Sequence, residues 1–95
     1  MTDTVILGGA RTPIAKLSGA LGSFSGTHLG GIAIAAALER SGISGEQIDF
    51  VFMGQVIQAG AGQVPARQAA HQGGIPLSTP STAVNKACLS SLNAI

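Results

Sequence analysis

The sequence has little charge. Only 9% of its 95 residues are Asp, Glu, Lys or Arg, whereas about a quarter is usual in soluble domains. A small free-standing domain has a large surface for its volume and normally carries more charge. We therefore expect further chain or a partner subunit to cover part of this surface. The basic residues are scattered and the formal net charge is only +1, which argues against a nucleic-acid partner.

Aromatic residues, long apolar runs and cysteines are also scarce. The chain has three Phe, no Trp and no Tyr, and no apolar run long enough to span a bilayer, so we expect no membrane partner. The first residues, Met1–Thr4, place no basic region before an apolar run, unlike a secretory signal. The single cysteine, Cys88, cannot form a disulfide within these residues, which fits a reducing cytoplasm. His28 and His71 match no metal-ligand spacing, so we expect no metal site.

The rest of the sequence alternates between strand and helix patterns. Continuous apolar runs predict strands buried on both faces, and helical periodicity bounded by Gly or Pro predicts helices. The predicted strands are Thr4–Leu7, Phe50–Met53 and Ser81–Val84, and the predicted helices are Leu29–Arg40 with Thr27 as N-cap, Val64–Gln72, and a third from Cys88. Strand, helix and strand in succession form a parallel βαβ unit. The prediction is an α/β fold in the order βαβαβα, with a layered mixed sheet packed by helices.

Two segments between these elements are rich in glycine. The segment Ile14–Ser25 is rich in Gly and Ser but carries Leu17, Leu21 and Phe24, so we expect an ordered loop with these side chains buried. The segment Gln58–Gln63 is rich in glycine, and a phosphate-binding loop is one interpretation. It lacks the Lys-Ser/Thr pair of a P-loop and does not match GxGxxG. A tight strand-to-helix connection is the favoured interpretation.

Cys88 lies where the last strand pattern changes to a helical one. Most lone cysteines are inert core thiols, and the residues alone leave that interpretation open. At the first turn of a helix, however, unpaired N–H groups and the helix dipole favour the thiolate. The small neighbours Ala87, Ser90 and Ser91 admit a substrate and leave the Cys88 N–H free to stabilise an oxyanion. The hypothesis is that Cys88 is a nucleophile.

Six polar residues have both a functional and a structural interpretation: His28, His71, Arg11, Arg67, Asn85 and Lys86. The two histidines are candidate bases for a cysteine nucleophile, although such residues are more often surface or capping residues. The two arginines either meet an anionic substrate or form structural ion pairs. Asn85 and Lys86 either orient the segment before the cysteine or face solvent.

One stretch resembles a known family in detail. The segment Asn85–Ile95 is similar to the acyl-enzyme signature of the thiolases. Three more stretches resemble the family in order and spacing, namely Val5–Pro13, Gly54–Gln63 and Pro65–Ala70. The sequence departs from the family at two positions: Ser91 replaces a usual glycine near the nucleophile, and Val64 stands where asparagine is frequent.

The resemblance implies a thiolase-like N-terminal half-domain over residues 1–95. Because the apolar pattern Leu89–Ile95 shows no C-cap, we expect the N-terminal portion of a longer protein, cut within a helix. The implied activity of the full-length protein is an acyl transfer of fatty acid metabolism through an acyl-enzyme on Cys88. It condenses two acetyl-CoA to acetoacetyl-CoA or thiolyses a 3-ketoacyl-CoA, with coenzyme A thioesters as substrates and no cofactor. The resemblance also implies a cytoplasmic homodimer or homotetramer that pairs through Ser81–Ala87.

In the thiolases, the activating histidine, the second cysteine and the oxyanion-hole histidine lie in later segments. The resemblance therefore gives neither His28 nor His71 these roles, and the 95 residues alone are expected to be inactive. Two alternatives stay open. One is a condensing enzyme that acts on carrier-protein thioesters, and the other is a catalytically incomplete fragment that serves only in assembly.

Overall fold

The computed structural model describes residues 3–95. Met1 and Thr2, which begin the stretch judged not to be a secretory signal, lie outside it. The elements in chain order are α1 (Gly26–Ser41), a short 3-10 helix (Gly45–Gln47), β1 (Val51–Gly54), α2 (Pro65–Gln72), β2 (Ser81–Val84) and α3 (Ser90–Ala94).

The two strands form a parallel pair in which Val51 lies opposite Ser81 and Gly54 opposite Val84. Helix α2 connects them and packs on both, and α1 packs on α2. The α/β class and the second βαβ crossover are therefore confirmed. Strand β2 has the predicted bounds, while β1 begins one residue later than predicted.

The strand predicted over Thr4–Leu7 is wrong for this structure. Val5, Ile6 and Leu7 are 67%, 82% and 62% exposed, and the segment belongs to no strand. A strand needs a neighbour to satisfy its backbone N–H and C=O groups, and within residues 3–95 the two strands pair only with each other. The two-stranded sheet is consequently parallel, not mixed.

The segment that carries Val5 and Leu7 borders an open apolar cavity of about 400 Å³ next to α1 and β1. The side chains that line this cavity from α1 and β1 include Leu38 and Phe52. Phe50 also lines it, and its ring stacks on that of Phe52 with the centroids 4.5 Å apart. The apolar character that predicted a buried strand is thus present, but within residues 3–95 the segment forms no strand pairing with β1 or β2.

Helix α1 begins earlier than predicted. Its N-cap is Ser25, whose hydroxyl accepts a hydrogen bond from the His28 N–H at 3.1 Å, so the prediction of Thr27 as N-cap is wrong. The predicted stop is confirmed, because Gly42 caps the C-terminus with a left-handed φ of 71°. Helix α2 begins at Pro65, one residue after the predicted start at Val64, and proline suits its first turn.

Small side chains let the two long helices approach each other closely. A Cβ on Gly31 of α1 would lie 2.7 Å from the Cβ of Gln72 in α2, which is closer than real contacts allow. The buried core consists of Val51, Ala66, Ala69, Ala70 and Ile75. Helix α1 is not covered on all sides within residues 3–95, where Ile32 remains 43% exposed.

The loop before α1 is a series of turns, closed by bonds from Gly19 N to Lys16 O and from Phe24 N to Leu21 O. It is ordered as expected, but Leu17 is 96% exposed and is not the buried anchor that was predicted. The loop after β1 closes through Ala61 N to Gln58 O at 3.0 Å, and Gly62 has a φ of 109° that only glycine adopts easily. Such turns are typical of a tight connection.

Candidate active site

Several elements meet where the two parallel strands end. Gln55 N donates to Val84 O at 2.9 Å and extends the sheet by one bond beyond Gly54. A cavity of about 160 Å³ at this edge is lined by the first residues of α1 and α2 and by the end of β1: Gly26, Thr27, Met53, Gly54, Gln55, Pro65 and Ala66. Ligands of parallel α/β proteins bind at this edge of the sheet. The candidate site is therefore at the carboxyl ends of the strands.

Cys88 lies in a reverse turn directly after β2. Leu89 N donates to Lys86 O at 3.1 Å, and Ser90 N donates to Ala87 O at 3.1 Å, so two turns overlap at the cysteine. We call Lys86–Leu89 the cysteine turn. Ala87 has a φ of 50°, a left-handed conformation that is unfavourable for a residue with a Cβ. Strain of this kind is concentrated at functional sites.

The prediction that the last helix starts at Cys88 is wrong. Helix α3 starts at Ser90 with Leu89 as its N-cap, so the thiol precedes the helix and is not in its first turn. The left-handed Ala87 prevents a helical path any earlier. With only five residues in α3, the helix dipole is a weaker influence on the sulfur than the sequence suggested.

Two side chains hold the cysteine turn. Asn85 accepts from the Ala87 N–H through Oδ1 at 3.1 Å and donates from Nδ2 to Val56 O at 2.8 Å. Ser90 Oγ accepts from the Lys86 N–H at 2.9 Å and lies 2.6 Å from Ala87 O, to which it donates. Of the two interpretations of Asn85, the structure supports the one in which it orients this segment. Lys86 has an exposed side chain and takes part only through its backbone.

The environment of Cys88 leaves its thiol exposed. Among residues 3–95 the cysteine is exposed, so these residues do not bury it as a core thiol. Within residues 3–95, the N–H groups on either side have acceptors, but no hydrogen bond forms to the N–H of Cys88 itself. A free N–H beside a nucleophile can stabilise the oxyanion of a tetrahedral intermediate.

Neither histidine serves the thiol in this structure. His28 lies in the first turn of α1, where its ring centroid is 5.0 Å from that of Phe24. His71 lies near the end of α2, about 9 Å along the helix axis from Pro65 at the site. No hydrogen bond joins either side chain to Cys88 among residues 3–95, so of the two interpretations of these histidines the structure favours surface or capping residues.

The two arginines bind backbone carbonyls. Arg67 donates from Nη1 to Leu77 O and ties α2 to the connection before β2, and Arg11 donates to Thr12 O at 3.1 Å. These contacts favour a structural role for Arg67. Within the described part of the chain, no group of three His, Cys, Asp or Glu residues could hold a metal ion. No helix among residues 3–95 is long and apolar enough to cross a membrane.

Sequence reasoning missed two residues of the site. Ser90 was noted only for its small size, yet it is 3% exposed and its hydroxyl makes the bonds just described. Gly54 directly follows the predicted strand Phe50–Met53 and was given no role in the site. In the structure α3 packs directly on it, and a Cβ there would lie 2.5 Å from Ser91 N. Ser91, which stands where the resembled family usually has glycine, places its hydroxyl against Gly54. A serine at a helix start and a glycine at a strand end are too common to signal such contacts.

Known proteins are similar to this chain in sequence and in fold. A family model described as thiolase, N-terminal domain, matches residues 4–95. A probable acetyl-CoA acetyltransferase from Mycolicibacterium smegmatis is 54% identical over 91 residues, which are 96% of this chain and 24% of that protein. A mitochondrial acetyl-CoA acetyltransferase from Xenopus tropicalis is 48% identical over 95 residues, which are 100% of this chain and 23% of that protein.

A solved structure shows the same fold. An acetyl-CoA acetyltransferase from Syntrophomonas wolfei has a TM-score of 0.88 and 36% sequence identity, and the match covers 95% of this chain and 23% of that one. The chain thus spans about a quarter of the length of the curated relatives it matches.

Proposed function

The chain belongs to the thiolase family through its N-terminal domain, and on that premise we propose that the whole protein transfers acyl groups between coenzyme A thioesters. The relatives' names, acetyl-CoA acetyltransferase, support acetyl-CoA over a carrier-protein thioester as the substrate. The observation that carries the proposal is the exposed Cys88 in a strained turn, with a backbone N–H that has no acceptor among residues 3–95.

In the proposed first step, the Cys88 thiolate attacks the carbonyl carbon of acetyl-CoA. The carbonyl oxygen becomes an oxyanion, to which the Cys88 N–H donates. The bond from that carbon to the coenzyme A sulfur then breaks, and the departing sulfur receives the proton that the cysteine lost. The product is S-acetyl Cys88 and free coenzyme A.

In the proposed second step, another acetyl-CoA loses a proton from its α-carbon, and the carbanion attacks the acetyl group on Cys88. The carbon–sulfur bond to the cysteine breaks, the thiolate takes up a proton, and acetoacetyl-CoA forms. Thiolysis of a 3-ketoacyl-CoA is the reverse. The family resemblance assigns the proton transfers to segments outside these 95 residues, so the segment alone is proposed to be inactive.

Labelling tests this function directly. The whole protein is mixed with radiolabelled acetyl-CoA, quenched with acid before the acyl-enzyme turns over, digested with trypsin and mapped. We expect label on the peptide that begins at Ala87, after the cleavage site at Lys86, and none in a Cys88→Ala variant. Label elsewhere, or none despite a folded protein, would reject the proposal.

We also propose that the whole protein is a homodimer or homotetramer that pairs through Ser81–Ala87. Within residues 3–95, strand β2 bonds to β1 on one side and to no strand on the other. Because Pro80 O and Val84 O accept bonds from the β1 side, the alternation of a parallel ladder turns the N–H of Ala83 to the outer edge. An Ala83→Pro variant removes that donor and should shift the protein to monomers in light scattering. An unchanged association state would contradict this interface.

A cytoplasmic location is part of the same proposal, because an exposed single thiol persists unpaired in a reducing compartment. The mitochondrion, named for the Xenopus relative, is the alternative. Cell fractionation with an antibody to the protein distinguishes the two.

A further inference from the structure

We propose that Ser90 is a positioning residue that sets the direction of the Cys88 backbone N–H. This inference rests on the acyl transfer proposed above and adds to it a residue that does not touch the substrate.

The argument begins with the peptide unit between Ala87 and Cys88. A peptide unit is planar, and its C=O and N–H point in opposite directions. Whatever fixes the Ala87 carbonyl therefore also fixes the N–H of Cys88. That carbonyl receives the Ser90 N–H at 3.1 Å and the Ser90 hydroxyl at 2.6 Å. The shorter bond is the one made by the side chain.

The Ser90 hydroxyl has one proton and two carbonyls within reach. Gln55 O lies 3.3 Å away and Ala87 O lies 2.6 Å away, so the proton goes to Ala87. The oxygen meanwhile accepts the Lys86 N–H at 2.9 Å. One hydroxyl thus bridges the peptide unit between Asn85 and Lys86 and the peptide unit between Ala87 and Cys88. Its 3% exposure keeps water from replacing either bond.

The bridge restrains a turn that is under strain. Ala87 has a φ of 50°, but rotation of the peptide unit between Ala87 and Cys88 changes only the ψ of Ala87 and the φ of Cys88. The left-handed φ therefore does not by itself hold this peptide unit in place. Such a rotation would swing the Cys88 N–H away from its present direction while leaving the thiol exposed. Asn85 holds the other side of Ala87 through its N–H but does not touch the carbonyl. The hydroxyl of Ser90 is the side-chain contact that opposes the rotation.

The consequence separates two reactions of the same sulfur. Attack on a thioester develops an oxyanion and needs the N–H in place, whereas alkylation by iodoacetamide displaces iodide and develops no oxyanion. Loss of the Ser90 hydroxyl should slow the first reaction and spare the second. Removal of an oxyanion donor lowers rates by about 100- to 1,000-fold, and misdirection of one that remains should cost about 10- to 100-fold.

The experiment uses the whole protein and follows both reactions at Cys88 by peptide mapping. In Ser90→Ala, we expect acetylation at saturating acetyl-CoA to fall about 10- to 100-fold, with the half-saturating concentration and the alkylation rate within about twofold of wild type. Ser90→Thr keeps a hydroxyl and should recover most of the acetylation rate. The matched control is Ser41→Ala, which removes a hydroxyl bonded to Ala37 O at 2.8 Å near the end of α1, and it should acetylate like wild type.

Four results would overturn the inference. Acetylation of Ser90→Ala at the wild-type rate would show that the hydroxyl positions nothing. A parallel fall of acetylation and alkylation would show a general loss of structure at the turn. If Ser90→Ala does not fold, a Ser90→Thr protein that loses both reactions equally would have the same meaning. A wild-type protein that is alkylated but not acetylated would reject the proposed function itself, and the inference with it.

Discussion

Gly54, the last residue of β1, lies so close to Ser91 of α3 that a Cβ built on it would be 2.6 Å from the Ser91 hydroxyl oxygen and 2.5 Å from the Ser91 backbone nitrogen. The sheet and the last helix therefore meet without an intervening side chain. The cysteine turn lies immediately before this contact in sequence, so its position depends on it.

Gly54→Ala should displace the start of α3, because backbone atoms cannot yield as a flexible side chain does. We expect a loss of about 1–3 kcal/mol in unfolding free energy, measured by urea denaturation, together with slower acetylation of Cys88. Gly9→Ala is the control, since a Cβ there meets nothing within 4 Å. Wild-type stability in Gly54→Ala would show that α3 does not pack on β1 as described.

The left-handed conformation of Ala87 predicts opposite tolerance for two substitutions. Ala87→Gly removes the strain caused by the Cβ but increases the conformational entropy of the unfolded chain. The net change in unfolding free energy should therefore be below about 1 kcal/mol. Ala87→Val places a β-branched side chain at a φ of 50° and should cost about 1–3 kcal/mol. Urea denaturation of both variants measures the difference. Equal stability of the two would mean that the turn does not hold this conformation in solution.

The positions of the histidines predict that neither activates the thiol. His28→Asn and His71→Asn should each leave the rate of Cys88 alkylation, and its dependence on pH, within about twofold of wild type, since a general base contributes about 100-fold or more. Stopped-flow alkylation across the pH range provides the measurement. A tenfold loss in either variant would assign that histidine to the site.

Sequence patterns predicted the elements that local chemistry determines. Pro65 at a helix start and Gly42 at a helix end were predicted correctly, because each has a backbone preference of its own. The sequence alone does not distinguish Ser25 from Thr27 as the N-cap, since both carry a suitable hydroxyl. The structure shows Ser25 accepting from His28 N, while the Thr27 hydroxyl pairs with that of Ser25 at 3.2 Å.

The remaining misses depend on residues distant in sequence or on side-chain direction. Thr4–Leu7 has the composition of a buried strand, but a strand also needs backbone hydrogen bonds to a neighbouring strand, and among residues 3–95 this segment forms none with β1 or β2. The helix start was placed at Cys88 because periodicity does not reveal a left-handed Ala87. Cys88 was proposed as the nucleophile from its neighbours and from the family resemblance. The bond from the Ser90 hydroxyl to the Ala87 carbonyl oxygen, in contrast, is visible only in the three-dimensional structure.

The most direct test of the account is the mass of the tryptic peptide that begins at Ala87, measured after the whole protein has reacted with acetyl-CoA and been quenched with acid at successive times. We predict a mass increase of one acetyl group on Cys88 at the earliest times, and its decline as further acetyl-CoA reacts and acetoacetyl-CoA appears. A peptide of unchanged mass from a folded protein whose Cys88 reacts with iodoacetamide would contradict the central claim that this cysteine carries the acyl group.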